Sequence, residues 1–177
     1  MSIAQSLLDE FTTQAPVTRK FLERLPEDKL TWKPHEKSMT AGQLAYHLAF
    51  VPGGVVRIAV NNPSHTPKFA GFPQPASRDE IFKTFDDSIS AVHAALSECR
   101  DETMNETFRL IIEGREVLAQ PRGLFLRDIM LNHWYQHRGQ FSVYLRILGA
   151  PVPASWGPSA DEPPLFAQQQ PHAQAAS

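Results

Sequence analysis

The chain has one cysteine, Cys99, in 177 residues. That excludes an intramolecular disulfide and any cysteine-rich zinc site, and it fits a reducing cytoplasm, the expected location. It also lacks a block of one charge: 17 Lys+Arg stand against 19 Asp+Glu, for a formal net charge of −2. Without a basic stripe, nucleic acid is not expected as a partner. Long apolar runs are missing too. The most apolar stretch, LAYHLAFVPGGVVRIAV, is interrupted by His47, Pro52, Gly53, Gly54 and Arg57, so no membrane span is expected. The opening residues, MSIAQSLLDEF, have no positive segment and reach Asp9 and Glu10 early, unlike a signal peptide. What is there, 42% apolar and 20% charged residues, is the balance of one soluble domain with a full core.

Four segments carry helical periodicity. The first runs from about Ile3 to Leu25 on a stripe of Leu8, Phe11, Ala15, Thr18, Leu22 and Leu25, with a kink or break expected at Pro16. The second begins after Thr40 as N-cap and carries Leu44, His47, Val51, Val55 and Ile58. Pro52 leaves the Leu48 carbonyl without its helical donor and is expected to bend this helix. Residues 61–76, with prolines at 63, 67, 73 and 75, read as loop. In the third helix Ser77 and Glu80 predict a capping box ahead of the stripe Ile81, Phe85, Ile89, Val92 and Leu96. FRLIIEGREVLAQ predicts a short hairpin turning at Glu113-Gly114. The fourth helix spans about Gly123 to Leu148 and stops at Gly149. Together these predict an all-α four-helix bundle over residues 1–162 and a flexible polar tail over 163–177. Within that end, Pro151 to Glu162 is expected to pack back while Gln168 to Ser177 stays mobile.

Two of these stripes contain histidines where leucine or isoleucine is expected. In HWYQHRGQ the fourth stripe reads Leu126, Met130, His133, His137, Phe141, Tyr144 and Leu148, and on the second helix His47 interrupts Leu44, Val51 and Val55. Side chains four apart lie about 5–6 Å from each other at Cβ, so His133 and His137 can reach one ion. A facing helix carrying His47 would complete three inward imidazoles, one way in which bundles build metal sites. A lone histidine on such a stripe is more often a satisfied core residue, and an HxxxH pair by itself is weak; three from two helices carry more weight, because each burial costs desolvation.

An all-imidazole set suits zinc, nickel, copper or ferrous iron, and three ligands leave an open position of the catalytic type. Gln140, about 20° round the helix from His133, reads as a support for a ligand or a substrate contact, or equally as part of a polar patch. Gly139 is expected to permit close helix approach. Arg138 reads as a salt-bridge or interface residue. Tyr46 and Tyr135 project about 100° from their histidine neighbours and read as packing, one of them bordering a pocket. His35 and His65 lie in loops, His93 beside the third stripe, and His172 in the tail.

The segments SMTAGQLAYHLAFVPG, SRDEIFKTFDDSISAVHAAL and QPRGLFLRDIMLNHWYQHRGQFSVYLRILGAPVPASWGPSADE resemble the DinB/YfiT-like family of small four-helix metal-binding proteins. The NHxxxHRGQ element followed by LGxPVPxxxGPSADE is its most specific part. The resemblance implies an up-down-down-up bundle, a homodimer, and His47, His133 and His137 as metal ligands. Its best-understood relatives are thiol-dependent enzymes, S-transferases and an isomerase that use low-molecular-weight thiols. Gln136, and a hairpin without the family's tryptophan and glycine run, depart from the pattern at positions expected to shape the pocket.

Three readings follow. The protein is a divalent-metal enzyme, with zinc or nickel ahead of iron or copper, that activates a small thiol toward an electrophile, or a water. Alternatively it is a non-catalytic bundle binding metal or a small ligand for sensing, sequestration or stress response. In the third reading its histidines bond only to one another and to water.

Overall fold

The computed structural model describes residues 1–68 and 70–168. Helix α1 (Ile3–Glu23), α2 (Ala41–Ala59) and α3 (Arg78–Leu96) are followed by a short α4 (Asp101–Asn105). The last long helix is one run of three segments: α5 (Arg122–Phe125), a π-helical stretch (Leu126–Asn132) and α6 (His133–Ile147). A final turn, α7, covers Leu165–Gln168.

Contacts along the helices define their directions. Arg19 pairs with Asp86, and Arg78 Nη2 donates to the Glu23 carbonyl at 3.1 Å, so α1 and α3 are antiparallel. Thr40, capping α2, bonds Gln74 just before α3 at 2.7 Å, and Gly53 N–H donates to Ser88 Oγ at 3.2 Å further along; α2 and α3 are parallel. Tyr144 donates to the Met39 carbonyl at 3.1 Å while Arg122 reaches the Ala59 carbonyl, so the last helix opposes α2. It parallels α1, as Arg127–Glu10 (2.9 Å) and Arg138–Thr18 (3.3 Å) require. The bundle is up-down-down-up.

The termini follow the cap chemistry of the sequence. Thr40 and Gln43 form a complete capping box, Oγ1 accepting from Gln43 N–H (3.0 Å) and Oε1 from Thr40 N–H (2.9 Å). Before α3 the box is half made: Ser77 accepts from Glu80 N–H, but Glu80 turns back to the Ala76 N–H (2.8 Å) instead of Ser77. Gly149, at φ +73°, ends the last helix in the left-handed conformation open to glycine. Pro16 does not break α1, which runs unbroken through it, and α2 likewise continues through Pro52.

The hairpin is present. Strands β2 (Thr107–Ile112) and β3 (Arg115–Pro121) turn at Glu113 (φ 49°) and Gly114 (φ 77°), the paired positive φ values of a two-residue hairpin turn. Residues 61–76 are not all loop, however. Strand β1 (Ser64–Thr66) pairs parallel with β2, Ser64 opposite Leu110, to make a three-stranded sheet ordered β1-β2-β3. Three residues framed by prolines carry no readable alternation. Phe108, fully buried, anchors the sheet on Phe125 with ring centroids 4.6 Å apart.

The core centres on Trp134, which is 0% exposed and reaches all four long helices. Its ring packs against Phe11 of α1 (5.3 Å) and Phe85 of α3 (6.3 Å), and its Nε1 donates to the Leu48 carbonyl of α2 at 2.8 Å. That is the carbonyl whose helical donor Pro52 removes. Behind α6, residues 151–162 are tied down: Val152 N–H to Asp161 (2.8 Å), Ala154 N–H to Glu162 (3.1 Å), and ion pairs Arg146–Asp161 (2.6 Å) and Arg24–Glu162 (2.8 Å). Trp156 in this segment stays 53% exposed. The expectation of a mobile end falls mostly on residues 169–177, including His172, outside the described residues.

Candidate metal centre

His47 on α2 and His133 and His137 on α6 come together, each half-buried, with one ligand-type nitrogen of each within 4.8 Å of the others. The Nε2 atoms of His47 and His133 lie 3.0 Å apart. Ring centroids are separated by 4.6 Å (His47–His137), 4.4 Å (His133–His137) and 5.3 Å (His47–His133), all nearly edge to face. His137 Nδ1 lies 2.9 Å from Gln140 Oε1, which can only accept, so the proton sits on Nδ1 and Nε2 faces the cluster. Tetrahedral zinc with Zn–N of about 2.0–2.1 Å sets ligand nitrogens about 3.3 Å apart. The His47–His133 pair is close to that spacing, and among the described residues no carboxylate or cysteine joins the three rings. The three histidines are positioned to bind a metal ion.

The histidines sit beside the core and not at its centre, a correction to the helical wheel. His133 N–H donates to the Asp128 carbonyl five residues back, and the whole Leu126–Asn132 stretch is π-helical. Each π turn takes in one residue more than an α turn, which moves the buried seam on by about one position. Burial passes from Leu126 and Met130 to Leu131, Trp134 and Arg138, and meets the predicted stripe again at Phe141 and Tyr144. His133 and His137 are thereby left half-buried beside the core. A continuous 3.6-residue period cannot reveal that shift.

Arg138 and Gly139 sort differently from expectation, whereas one tyrosine borders a pocket as expected. Arg138 makes no salt bridge among the described residues: it is 7% exposed, bonded to Thr18 and stacked over the Tyr135 ring at 5.2 Å. Gly139 permits no close approach within the chain, since a Cβ there meets nothing within 4 Å. The close-approach glycine is Gly53, whose Cβ would lie 2.7 Å from Ser88 Cα. Tyr135 hydroxyl donates to Glu10 (2.9 Å), and burial, then that bond, raise its pKa. Tyr46 instead stacks on Phe50 (6.3 Å, 9°) beside the cluster.

A cleft of about 350 Å³ opens at His47, lined by Tyr46, Phe50 and Val55 of α2 and by Phe72 opposite. The Phe72 ring meets His47 edge to face at 4.5 Å. Gln43, already in the capping box, also donates to the Phe72 carbonyl (3.1 Å) and so fixes this loop over α2. Phe72 carries no sequence signal, being one aromatic in a proline-rich loop without period.

Burial, followed by the neighbouring His137 and His133, lowers the His47 pKa to about 3, and burial, then His137, lowers that of His133. An unfolded histidine titrates near 6.5. Between these values the unfolded chain binds protons that the folded one refuses, so this stability is present above pH 6.5 and drains away toward pH 3. After allowance for solvent at the half-buried ring, His47 contributes on the order of 2 kcal/mol to that loss. Melting curves of metal-free protein should fall more steeply from pH 7 to 4 for the wild type than for His47→Leu; parallel curves would contradict the assignment.

The fold is an up-down-down-up bundle with three histidines of α2 and α6, beside its core, positioned to bind a metal ion. The sequence pattern of the DinB superfamily is matched over residues 10–141, and the chain belongs to that superfamily. It is 27% identical over 167 residues to YrdA of Bacillus subtilis, itself uncharacterized, covering 93% of this chain and 94% of YrdA. A crystal structure of a DinB-like protein from Bacillus cereus superposes with a TM-score of 0.67 at 24% identity, over 85% of this chain and 96% of that one. The DinB-like YjoA of Bacillus subtilis gives 0.57 at 20% identity, over 84% and 95%. A DinB-family protein from Exiguobacterium sibiricum gives 0.59 at 16% identity, over 84% and 93%. At these identities the solved structures speak for the fold alone. No helix among the described residues is long and apolar enough to cross a membrane.

Proposed function

We propose that the protein is a divalent-metal enzyme that activates a low-molecular-weight thiol toward an electrophile, with His47, His133 and His137 as ligands. One observation carries the reading: three imidazoles converge with His137 Nδ1 bound to Gln140, beside an apolar cleft large enough for a small molecule. A bound zinc or nickel ion would supply Lewis acidity, lowering the pKa of a thiol or water so that the nucleophile forms near neutral pH. The protein's part is to keep His47 and His133 neutral by burial, hold His137 in one tautomer, and exclude water on the α2 side through Tyr46, Phe50 and Phe72. In the reaction the thiol releases its proton to solvent and the sulfur lone pair forms the S–C bond. The leaving group departs with its bonding pair. Water in the thiol's place gives the hydrolytic variant.

The same reading places the protein in the cytoplasm as a homodimer. Exposed Val143 and Ile147 on the outer face of α6 (56% and 58%) support a partner surface there. The alternative, a metal-sensing or storage bundle, is favoured by the lack, among the described residues, of any acid or base in the cluster besides the histidines.

The test is conjugation of several biological thiols to a neutral electrophile by zinc- and nickel-loaded protein, alongside the chelated form. Acceleration that disappears with the chelator supports the enzyme. Tight metal binding with no acceleration of any thiol supports sensing or storage.

A further inference from the structure

The cleft at His47 has a chemical character of its own. Its lining is Tyr46, Phe50, Val51, Gly54, Val55 and Ile58 from α2, with residues 71–73 from the facing loop, and none of these is acidic or basic. His47 is the one titratable imidazole on its wall, and that ring also belongs to the cluster, so a molecule in the cleft lies beside the reacting position. Tyr46, Phe50 and Gly54 follow each other at four-residue spacing on one side of α2. The Tyr46 and Phe50 rings stack nearly parallel, and Phe50 extends across Gly54. A Cβ at Gly54 would come within 2.6 Å of Phe50 Cε1 and 2.8 Å of its Cζ. The absence of a side chain at 54 is therefore what lets the Phe50 ring lie flat as a wall. Phe50 is nonetheless 46% exposed, a large aromatic surface left to solvent at the rim of an apolar hollow.

We propose that this cleft binds an uncharged, apolar small molecule, the electrophilic co-substrate, and that Phe50 and Gly54 set which molecules fit. The assignment rests on the reading of the histidine cluster as a thiol-activating metal site. Small biological thiols carry carboxylate or ammonium groups, and a charge taken into this lining finds no partner and loses its hydration. The cleft thus excludes the charged part of the thiol and suits the second reactant. At about 350 Å³ it lies at the small end of ligand pockets, roughly 300–1,000 Å³, which fits a one- or two-ring molecule.

The proposal is tested by titrating full-length protein, metal-free and zinc-loaded, with 4-nitrobenzyl alcohol and with its anionic counterpart 4-nitrobenzoate, by saturation-transfer NMR and calorimetry. The alcohol should bind at least tenfold more tightly than the carboxylate in the metal-free protein. Gly54→Val should weaken alcohol binding about tenfold, because it displaces the Phe50 ring and fills the cleft, while zinc affinity stays within twofold. Phe50→Ala, at an exposed position that does not endanger folding, should also weaken the alcohol and serves if Gly54→Val does not fold. Equal binding of both probes, binding of neither, or indifference to both substitutions overturns the assignment. Failure of wild-type protein to bind zinc would instead remove the metal reading, and the neutral-probe preference would still be measured separately.

Discussion

His137→Ala should weaken zinc binding by roughly 10²–10³-fold and leave the protein folded. Four-ligand structural zinc sites are worth about 10–16 kcal/mol, or about 2.5–4 kcal/mol per ligand if shared equally, and each 1.4 kcal/mol is a factor of ten. Removing this ring leaves His47 and His133, whose Nε2 atoms are 3.0 Å apart, as a two-ligand site. Gln140→Leu should cost less, about 10–100-fold, because it frees the His137 ring and its tautomer without removing a ligand. Competition with a chromophoric chelator measures both. A His137→Ala affinity within threefold of wild type would show that the cluster does not hold the ion. Wild-type protein that binds no zinc at all would favour three rings bonded to one another and to water.

Much of this architecture is legible in the residues, and the failures share a physical origin. Apolar stripes, Thr40 as a cap, Glu113-Gly114 as a turn and Gly149 as a stop are local signals, and each appears where its chemistry requires it. The histidines were legible because residues four apart on a helix converge whatever the surrounding fold does. Which face they occupy was not, because seven π-helical residues ahead of His133 turn the seam, and only a long-range contact reports this. Arg138 is buried for the same reason, one position beyond the predicted stripe, which burial rejoins at Phe141 and Tyr144. Phe72 and β1 lie in a loop where position depends on bonds from Gln43 and on pairing with Leu110, partners remote in sequence. Pro52 is the instructive intermediate case. The sequence identifies an orphaned Leu48 carbonyl; the fold supplies its donor from Trp134.

Trp134→Ala should destabilise the protein by about 3–5 kcal/mol, against less than about 1 kcal/mol for His137→Ala in metal-free protein. Trp134 is fully buried between Phe11 and Phe85, whereas His137 is only half-buried and its removal leaves a gap that water can fill. For a chain of this length each kcal/mol moves the melting temperature by about 2–4 °C, so the tryptophan change should lower it by about 6–20 °C. Trp134→Phe separates the two parts of that effect. It keeps most of the apolar contact but strands the Leu48 carbonyl, which Pro52 has already deprived of a helical donor, for about 1–3 kcal/mol. Chelation should likewise lower the melting temperature without abolishing helical circular dichroism, because the apolar seam and not the ion builds this core. Loss of helix in chelator, or equal destabilisation by His137→Ala and Trp134→Ala, would return the histidines to the centre of the bundle. The Trp134–Leu48 bond also joins the residues next to His133 and His47, so it sets the register in which those two rings face each other. Trp134→Phe should therefore weaken zinc binding measurably although residue 134 is not a ligand, and an unchanged affinity would show that the histidine register is held by other contacts.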